Sequence, residues 1–349
     1  MTIIALFIYG LILSLTTIPI LRKIVEKFDI YNAPNSRDLH KEKIPKLMGT
    51  VFYFGIILAS VFLFRFQSED QMVYLITALS IIFYVGVRDD IYNMSPWSKI
   101  ILQCIAISII LFSTELILTN LHGFLGIHEL PLLLAYALTL FIGVFMINSF
   151  NLIEGVDGLA GIMGILMLTC FGIIFYILDD LFLVYSIAIL VGTISGYLRF
   201  NMSNKLKVFM GDTGSLILGF FIFFYLLQLI NNDEIEKIGS FAETEMSIWF
   251  GLLIFLHPIL DSGSVFLSRV SKGKSPFSPD NNHIHHLLLQ RVNSHVAVSM
   301  IILTYSVISI IINGLVIYFL PLIYSYIISA YLVISFALIY VIRKLLKIS

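Results

Sequence analysis

Four stretches of this 349-residue chain gather the side chains that do polar chemistry. The first, GVRDDIYNMSPWSKIILQ (86–103), sets Asp89 beside Asp90. Adjacent carboxylates suit a hard cation such as Mg²⁺, or a division of labour in which one holds a metal while its neighbour takes a proton. Lys99 and Gln103 lie four apart, so they share one helix face, where an ammonium meets a phosphate. The plainer reading of this stretch is a helix-terminal charge cluster that fixes topology.

The second stretch, NSFNLIEGVDGLAG (148–161), carries Asn148, Asn151, Glu154 and Asp157 and no basic residue. Carboxylate and amide oxygens without Lys or Arg read as a cation or polar-ligand site. Its Gly155, Gly158 and Gly161 allow backbone close to a ligand, or serve tight helix packing. In the third, FMGDTGSLILG (209–219), Asp212 stands between glycines and Ser215 follows at a helix start. Such a turn offers N–H groups to an anion while its carboxylate reaches a metal; the alternative is an ordinary Asp N-cap.

The fourth, PILDSGSVFLSRVSKGKSPFSPDNNHIHHLLLQ (258–290), has a basic run of Arg269, Lys272 and Lys274 beside Gly273 and Ser275, suited to a diphosphate. His283, His285 and His286 follow a Pro-rich turn. That spacing invites a zinc reading, but no Cys accompanies it and zinc helices place histidines four apart. Contacts to phosphate oxygens or a sugar fit the same residues. His257 and Asp261, four apart, have the spacing to satisfy one another.

The elements that must position these groups are apolar. The chain is 59% hydrophobic and 12% charged, with a mean hydropathy of +0.97, where a soluble domain carries roughly 25% charged residues. This excludes an ordinary soluble domain and predicts an all-α polytopic integral membrane protein. Ionisable groups beside spans are costly, and so mark function. Both cysteines, Cys104 and Cys170, fall in apolar runs and read as ordinary buried thiols. The net charge of −1 gives no reason to expect a nucleic-acid partner.

A bilayer-crossing helix needs about 20 apolar residues. On that criterion eleven transmembrane helices are expected, over 3–21, 47–66, 72–87, 99–118, 131–150, 158–177, 181–198, 213–230, 246–267, 296–320 and 321–342. The first run lacks the basic flank and cleavage site of a secretory signal, and is read as a span. Nineteen of the 21 Lys and Arg then fall in the odd-numbered gaps and at the C-terminus, leaving Arg65 and Lys237 opposite. The positive-inside rule places the N-terminus outside and the C-terminus in the cytoplasm. All four chemical stretches thereby face the cytoplasm, whereas Asp179, Asp180 and the acidic loop 231–245 fall outside. One membrane domain over 1–349 is expected. A secondary transporter is the rival from another class, but its site would lie at the midplane between repeats, and no repeat is visible.

In this order the stretches resemble the polyprenyl-phosphate N-acetylhexosamine-1-phosphate transferases, from the NAPNSRDLHKEKIPKLMG loop (32–49) to HIHH (283–286). That family includes bacterial enzymes that begin O-antigen, enterobacterial common antigen and teichoic acid synthesis, and is related to phospho-MurNAc-pentapeptide translocase. The resemblance implies transfer of a HexNAc-1-phosphate, GlcNAc-1-phosphate first, from a cytoplasmic UDP-sugar to undecaprenyl phosphate, with release of UMP. A 6-deoxy HexNAc or a MurNAc-peptide donor is the alternative within the class.

It further implies Mg²⁺ or Mn²⁺, a bacterial inner-membrane location, a cytoplasmic active site and a homodimer. By motif position Asp212 is a metal ligand and Asn151 a second one, Asp89 and Asp90 bind metal or activate the lipid phosphate, and Asp157 lies in the nucleotide or catalytic region. Lys99, Asn148, Glu154, Arg269, His283, His285 and His286 are the substrate-binding candidates. Glu154 departs from the usual Asp. Asn32, Asp38, Lys46 and Met48 stand where the pattern has Asp, Lys, Arg and Gly.

Overall fold

The structure is a computed structural model that describes residues 1–31, 44–114, 116–232, 245–270, 273, 283–320 and 324–348. Lys272, Lys274 and Asp280, the acidic loop 233–244 and residues 32–43 of the first cytoplasmic loop lie outside the described residues.

The described residues are all-helical. Thirteen α-helices run in order: α1 Thr2–Lys27, α2 Thr50–Leu63, α3 Glu69–Tyr92, α4 Pro96–Thr114, α5 Leu132–Leu152, α6 Leu159–Ile177, α7 Leu181–Asn201, α8 Gly211–Ile230, α9 Glu245–Ile254, α10 Leu256–Val270, α11 Ile284–Val292, α12 His295–Phe319 and α13 Tyr324–Ile348. Seven are long and apolar enough to cross a membrane, or eight if the bent pair α9–α10 is one span. The other three expected spans coincide with shorter apolar helices at Thr50–Leu63, Pro96–Phe112 and Tyr324–Ile339.

The apolar distribution explains the layering. α8 is hydrophobic on every face and 94% of its span is buried in the protein, whereas only 17% of α1 is. A helix apolar all round belongs in the middle of the bundle, and one with a small buried stripe belongs against lipid. α7 is tied to α8 by the buried hydrogen bond between Ser186 Oγ and Tyr225 OH at 2.8 Å, and α1 lies on α7 through a Ser14 Oγ donation to the Thr193 carbonyl at 2.7 Å. Hydroxyls satisfied across helices add direction where apolar packing alone gives none. α3 and α5 flank α8 on its other sides.

Two departures from the expected spans matter for the site. α3 is longer than 72–87: Ser68 caps its start, with Glu69 and Asp70 in its first turn, and it continues through Arg88, Asp89 and Asp90 to Asn93. The acid pair is therefore helical rather than in a loop. The ninth expected span, 246–267, is broken near Phe255 with a 74° bend between α9 and α10. Pro258 has no N–H to give the Ile254 carbonyl, so the ladder is interrupted there, and Pro is tolerated in the first turn of the new helix. The break swings α10 away from the direction of α9 and sends Asp261 toward the histidines of α11.

Candidate active site

The site is built on the start of α8. The first four N–H groups of a helix have no intrahelical partner and must find one. Here all four do, and the three residues that accept them, Tyr197, Glu154 and Asp90, come from three separate parts of the sequence. The Met210 N–H donates to Tyr197 OH at 3.0 Å, Gly211 to Glu154 Oε1 at 2.7 Å, Asp212 to Asp90 Oδ1 at 3.0 Å and Thr213 to Asp90 Oδ2 at 3.0 Å. Thr213 Oγ1 adds a 2.7 Å donation to Asp90 Oδ2. Carboxylates at this position also meet the positive end of the helix dipole. Gly211 sits at φ +72°, and a Cβ there would lie 2.3 Å from Asp90 Oδ2, so only glycine lets the buried Asp90 approach.

With its backbone fixed in this way, Asp212 directs its own carboxylate elsewhere. Its Oδ1 accepts from Asn151 Nδ2 at 2.7 Å, and Asn151 also reaches Ser215 Oγ at 2.8 Å. Its Oδ2 meets Lys99 Nζ at 2.7 Å, and Asp89 Oδ2 meets the same ammonium at 3.0 Å. Asp89 is held by the Met94 N–H just past the end of α3. Thus α3, α4, α5 and α8 bring Asp89, Lys99, Asn151 and Asp212 to one point. Among the described residues, four carboxylates, those of Asp89, Asp90, Glu154 and Asp212, gather at the start of α8 with Lys99 in contact with Asp89 and Asp212, and Lys46 near enough to act on Asp90 and Glu154. The surplus is negative, a field that favours a further cation.

The remaining candidates divide. Asn148 lies one helical turn before Leu152, and its Nδ2 donates to Gln103 Oε1 at 2.7 Å and to the Val144 carbonyl at 2.8 Å, so it secures α5 to α4 beneath Lys99. Asp157 joins a different group. Its Oδ2 pairs with Lys207 and lies 3.2 Å from His295 Nδ1, and its carbonyl accepts from Ser299 Oγ at 2.9 Å. These contacts bind the 148–161 segment to the α7–α8 loop and to α12.

His283 and His285 both face Asp261, with Nδ1–Oδ2 distances of 3.2 Å. His286 and His285 rest on Gly155, where a Cβ would lie 2.7 Å from His286 Cε1. Arg269 is buried at the end of α10. Tyr197, Lys207, His295 and Asp261 are site neighbours that sequence reasoning did not assign. Tyr197 looked like one more aromatic of an apolar span, and Asp261 had a nearer-looking partner four residues away.

Helix ends here carry acids, amides and the Lys99 ammonium together at one end of an apolar bundle. Residues 72–230 match glycosyl transferase family 4. The chain is 29% identical over 289 residues to an undecaprenyl-phosphate α-N-acetylglucosaminyl 1-phosphate transferase of Yersinia pestis, covering 81% of this chain and 76% of that protein. It is 30% identical over 278 residues to the protein of the same name from Salmonella typhi, covering 77% and 71%, and 29% identical over 278 residues to that of Escherichia coli K12, again covering 77% and 71%. The chain belongs to glycosyl transferase family 4 and is a multi-pass membrane enzyme of the phospho-HexNAc transferase type.

Proposed function

We propose that this enzyme transfers GlcNAc-1-phosphate from UDP-GlcNAc to undecaprenyl phosphate at the cytoplasmic face of a bacterial inner membrane, releasing UMP. The observation that carries the reading is the convergence of Asp89 and Asp212, from separate helices, on the Lys99 ammonium at 3.0 and 2.7 Å. The choice of GlcNAc is supported by the names of relatives at 29–30% identity. The whole chain serves as one catalytic unit with its N-terminus outside, and the distribution of Lys and Arg supports eleven crossings.

The residues fit a divalent cation. Carboxylate oxygens are the donors that Mg²⁺ prefers, and it is usually bound by one or two of them together with water and substrate phosphates. Asp212 would hold Mg²⁺, with Asn151 beside it as a second ligand. When bound, it would neutralise charge on the diphosphate oxygens.

The chain's own residues do the rest. An oxygen of the lipid phosphate attacks the phosphorus that carries the sugar, and the bond from that phosphorus to UMP breaks. Asp89 takes the proton of the acceptor phosphate when it bears one. The Lys99 ammonium offsets charge on the transferring group, a contribution that positioning makes effective. Asp90 and Glu154 act through the backbone of α8 and not on the substrate.

The test is incubation of purified protein with undecaprenyl phosphate, Mg²⁺ and a panel of UDP-HexNAc donors, with Asp212→Ala alongside. UMP and lipid-linked product from UDP-GlcNAc, lost in the variant, are expected. Product from a different donor alone overturns the GlcNAc assignment, and a phosphorylated aspartate trapped with UDP-sugar in the absence of lipid overturns the direct displacement.

A further inference from the structure

We infer that Asp261 is a positioning residue that fixes which ring nitrogens His283 and His285 present to the bound sugar nucleotide. What the histidines meet rests on the transferase reading above; their tautomers do not.

Asp261 lies on α10 with no exposed surface. Its Oδ1 accepts the Ile284 N–H at 2.8 Å, at the first turn of α11. Its Oδ2 stands 3.2 Å from Nδ1 of His283 and 3.2 Å from Nδ1 of His285. An ionised carboxylate only accepts, so each facing Nδ1 must carry its proton. The partner of one ring nitrogen decides the tautomer of the whole imidazole. Both rings therefore turn Nε2 away from Asp261, and both Nε2 atoms are buried in the protein.

Two observations show where that atom faces. The rings of His283 and His285 are stacked at 5.5 Å with planes 20° apart, so the pair is aligned by its shared partner. A Cβ on Gly155 would lie 3.4 Å from His285 Nε2, which puts that nitrogen against the 148–161 segment, one residue from Glu154. Glu154 in turn holds the Gly211 N–H at the start of α8. His283 Nε2 is buried and meets no partner among the described residues, where buried polar atoms ordinarily have one. A clamp between α10 and α11 would need only the Ile284 N–H. One carboxylate shared by two imidazoles does more, since it sets the direction of both.

The experiment uses full-length protein in lipid nanodiscs with ¹⁵N-labelled histidine rings, His283→Gln and His285→Gln serving to assign signals among the eight histidines. Nitrogen shifts and two-bond couplings read the tautomer directly. Both residues are expected to carry the proton on Nδ1, and Asp261→Asn is expected to lose that form from at least one ring while lowering kcat/KM for the UDP-sugar about 10–100-fold, the usual effect of removing a group that orients a ligating histidine.

A wild-type spectrum with the proton on Nε2 alone in either ring overturns the inference, and it decides the matter even if the variant fails to fold. Full activity in Asp261→Asn, or lost activity with both Nδ1 protons retained, overturns it as well. Wild-type protein with the expected tautomers that releases no UMP from any UDP-sugar overturns the transferase reading and leaves the Asp261–histidine assignment standing.

Discussion

Asp90 binds the backbone of Asp212, not the Lys99 ammonium that its neighbour Asp89 meets. Its two oxygens take the N–H groups of Asp212 and Thr213 at 3.0 Å each and the Thr213 hydroxyl at 2.7 Å. Adjacent residues on a helix point about 100° apart, and that divergence divides the acid pair into Asp89, which meets Lys99, and Asp90, which holds the start of α8. Asp90→Ala is expected to lower thermal stability, because each donor left unpaired costs about 1–3 kcal/mol. Asp89→Ala should leave the unfolding temperature near that of wild type, while transfer falls at least about 100-fold if it acts on protons in the way general bases do. Thermal unfolding and UMP release on the two variants check this; equal unfolding temperatures would remove the distinction.

Lys99 stands between Asp89 and Asp212, where a divalent cation would also be drawn. Removing it takes one positive charge from a cluster already in excess of carboxylate. Lys99→Gln is therefore expected to bind Mn²⁺ more tightly than wild type and to transfer more slowly. Manganese titration by electron paramagnetic resonance reads the first and UMP release the second. Weaker manganese binding in the variant would show that Lys99 supports the metal instead of competing with it.

Much of this site was legible because its chemistry is local. Asp89, Asn151 and Asp212 each sit in a short polar interruption of an apolar run, and such interruptions stand out where every buried charge is costly. The partnerships were not legible. That Asp90 caps a helix 122 residues away follows from how α3 crosses α8, and periodicity records only the direction of a side chain on its own helix. The alternative N-cap reading of Asp212 shows the difference: capping is needed at that turn, but Asp90, Glu154 and Tyr197 perform it from other elements. The break between α9 and α10 was hidden because the apolar run continues through Phe255 and only Pro258 marks it. The short helix α11 was hidden because its nine residues are too few for a span and too few to show a clear helical period.

Glu154 departs from the aspartate its resemblance leads one to expect, and the structure gives it a task that uses the extra methylene. From the 3-10 turn Ile153–Gly155 it reaches the Gly211 N–H at 2.7 Å. An acceptor role needs an oxygen and no charge, so Glu154→Gln should keep transfer within about threefold, a difference of under 1 kcal/mol by the 1.4 kcal/mol that separates tenfold rates. Glu154→Asp is expected to lose the hydrogen bond and about 1 kcal/mol of stability. Steady-state kinetics with both variants decides: abolished transfer in Glu154→Gln would assign the residue to proton transfer or metal binding.

The histidine helix and the acid cluster meet through Gly155, which has no side chain to separate them. His286 approaches so closely that a Cβ would lie 2.7 Å from its Cε1 and 3.1 Å from its Nε2, while His285 Nε2 is 3.4 Å away. Gly155→Ala must therefore displace the His286 ring or lift α11 from the 148–161 segment. Overpacking of this kind costs about 1–3 kcal/mol. Three of the four N–H groups at the start of α8 are held by Tyr197 and Asp90, which belong to α7 and α3, so the variant should stay folded while KM for the UDP-sugar rises and the manganese affinity of the acid cluster stays at its wild-type value. Parallel titrations with UDP-sugar and Mn²⁺ measure both. If the two affinities fall together, the histidines and the carboxylates are one rigid unit; if only the nucleotide affinity falls, α11 contributes a separate wall that docks on glycine, and substitutions along it can change the preferred sugar without disturbing the metal.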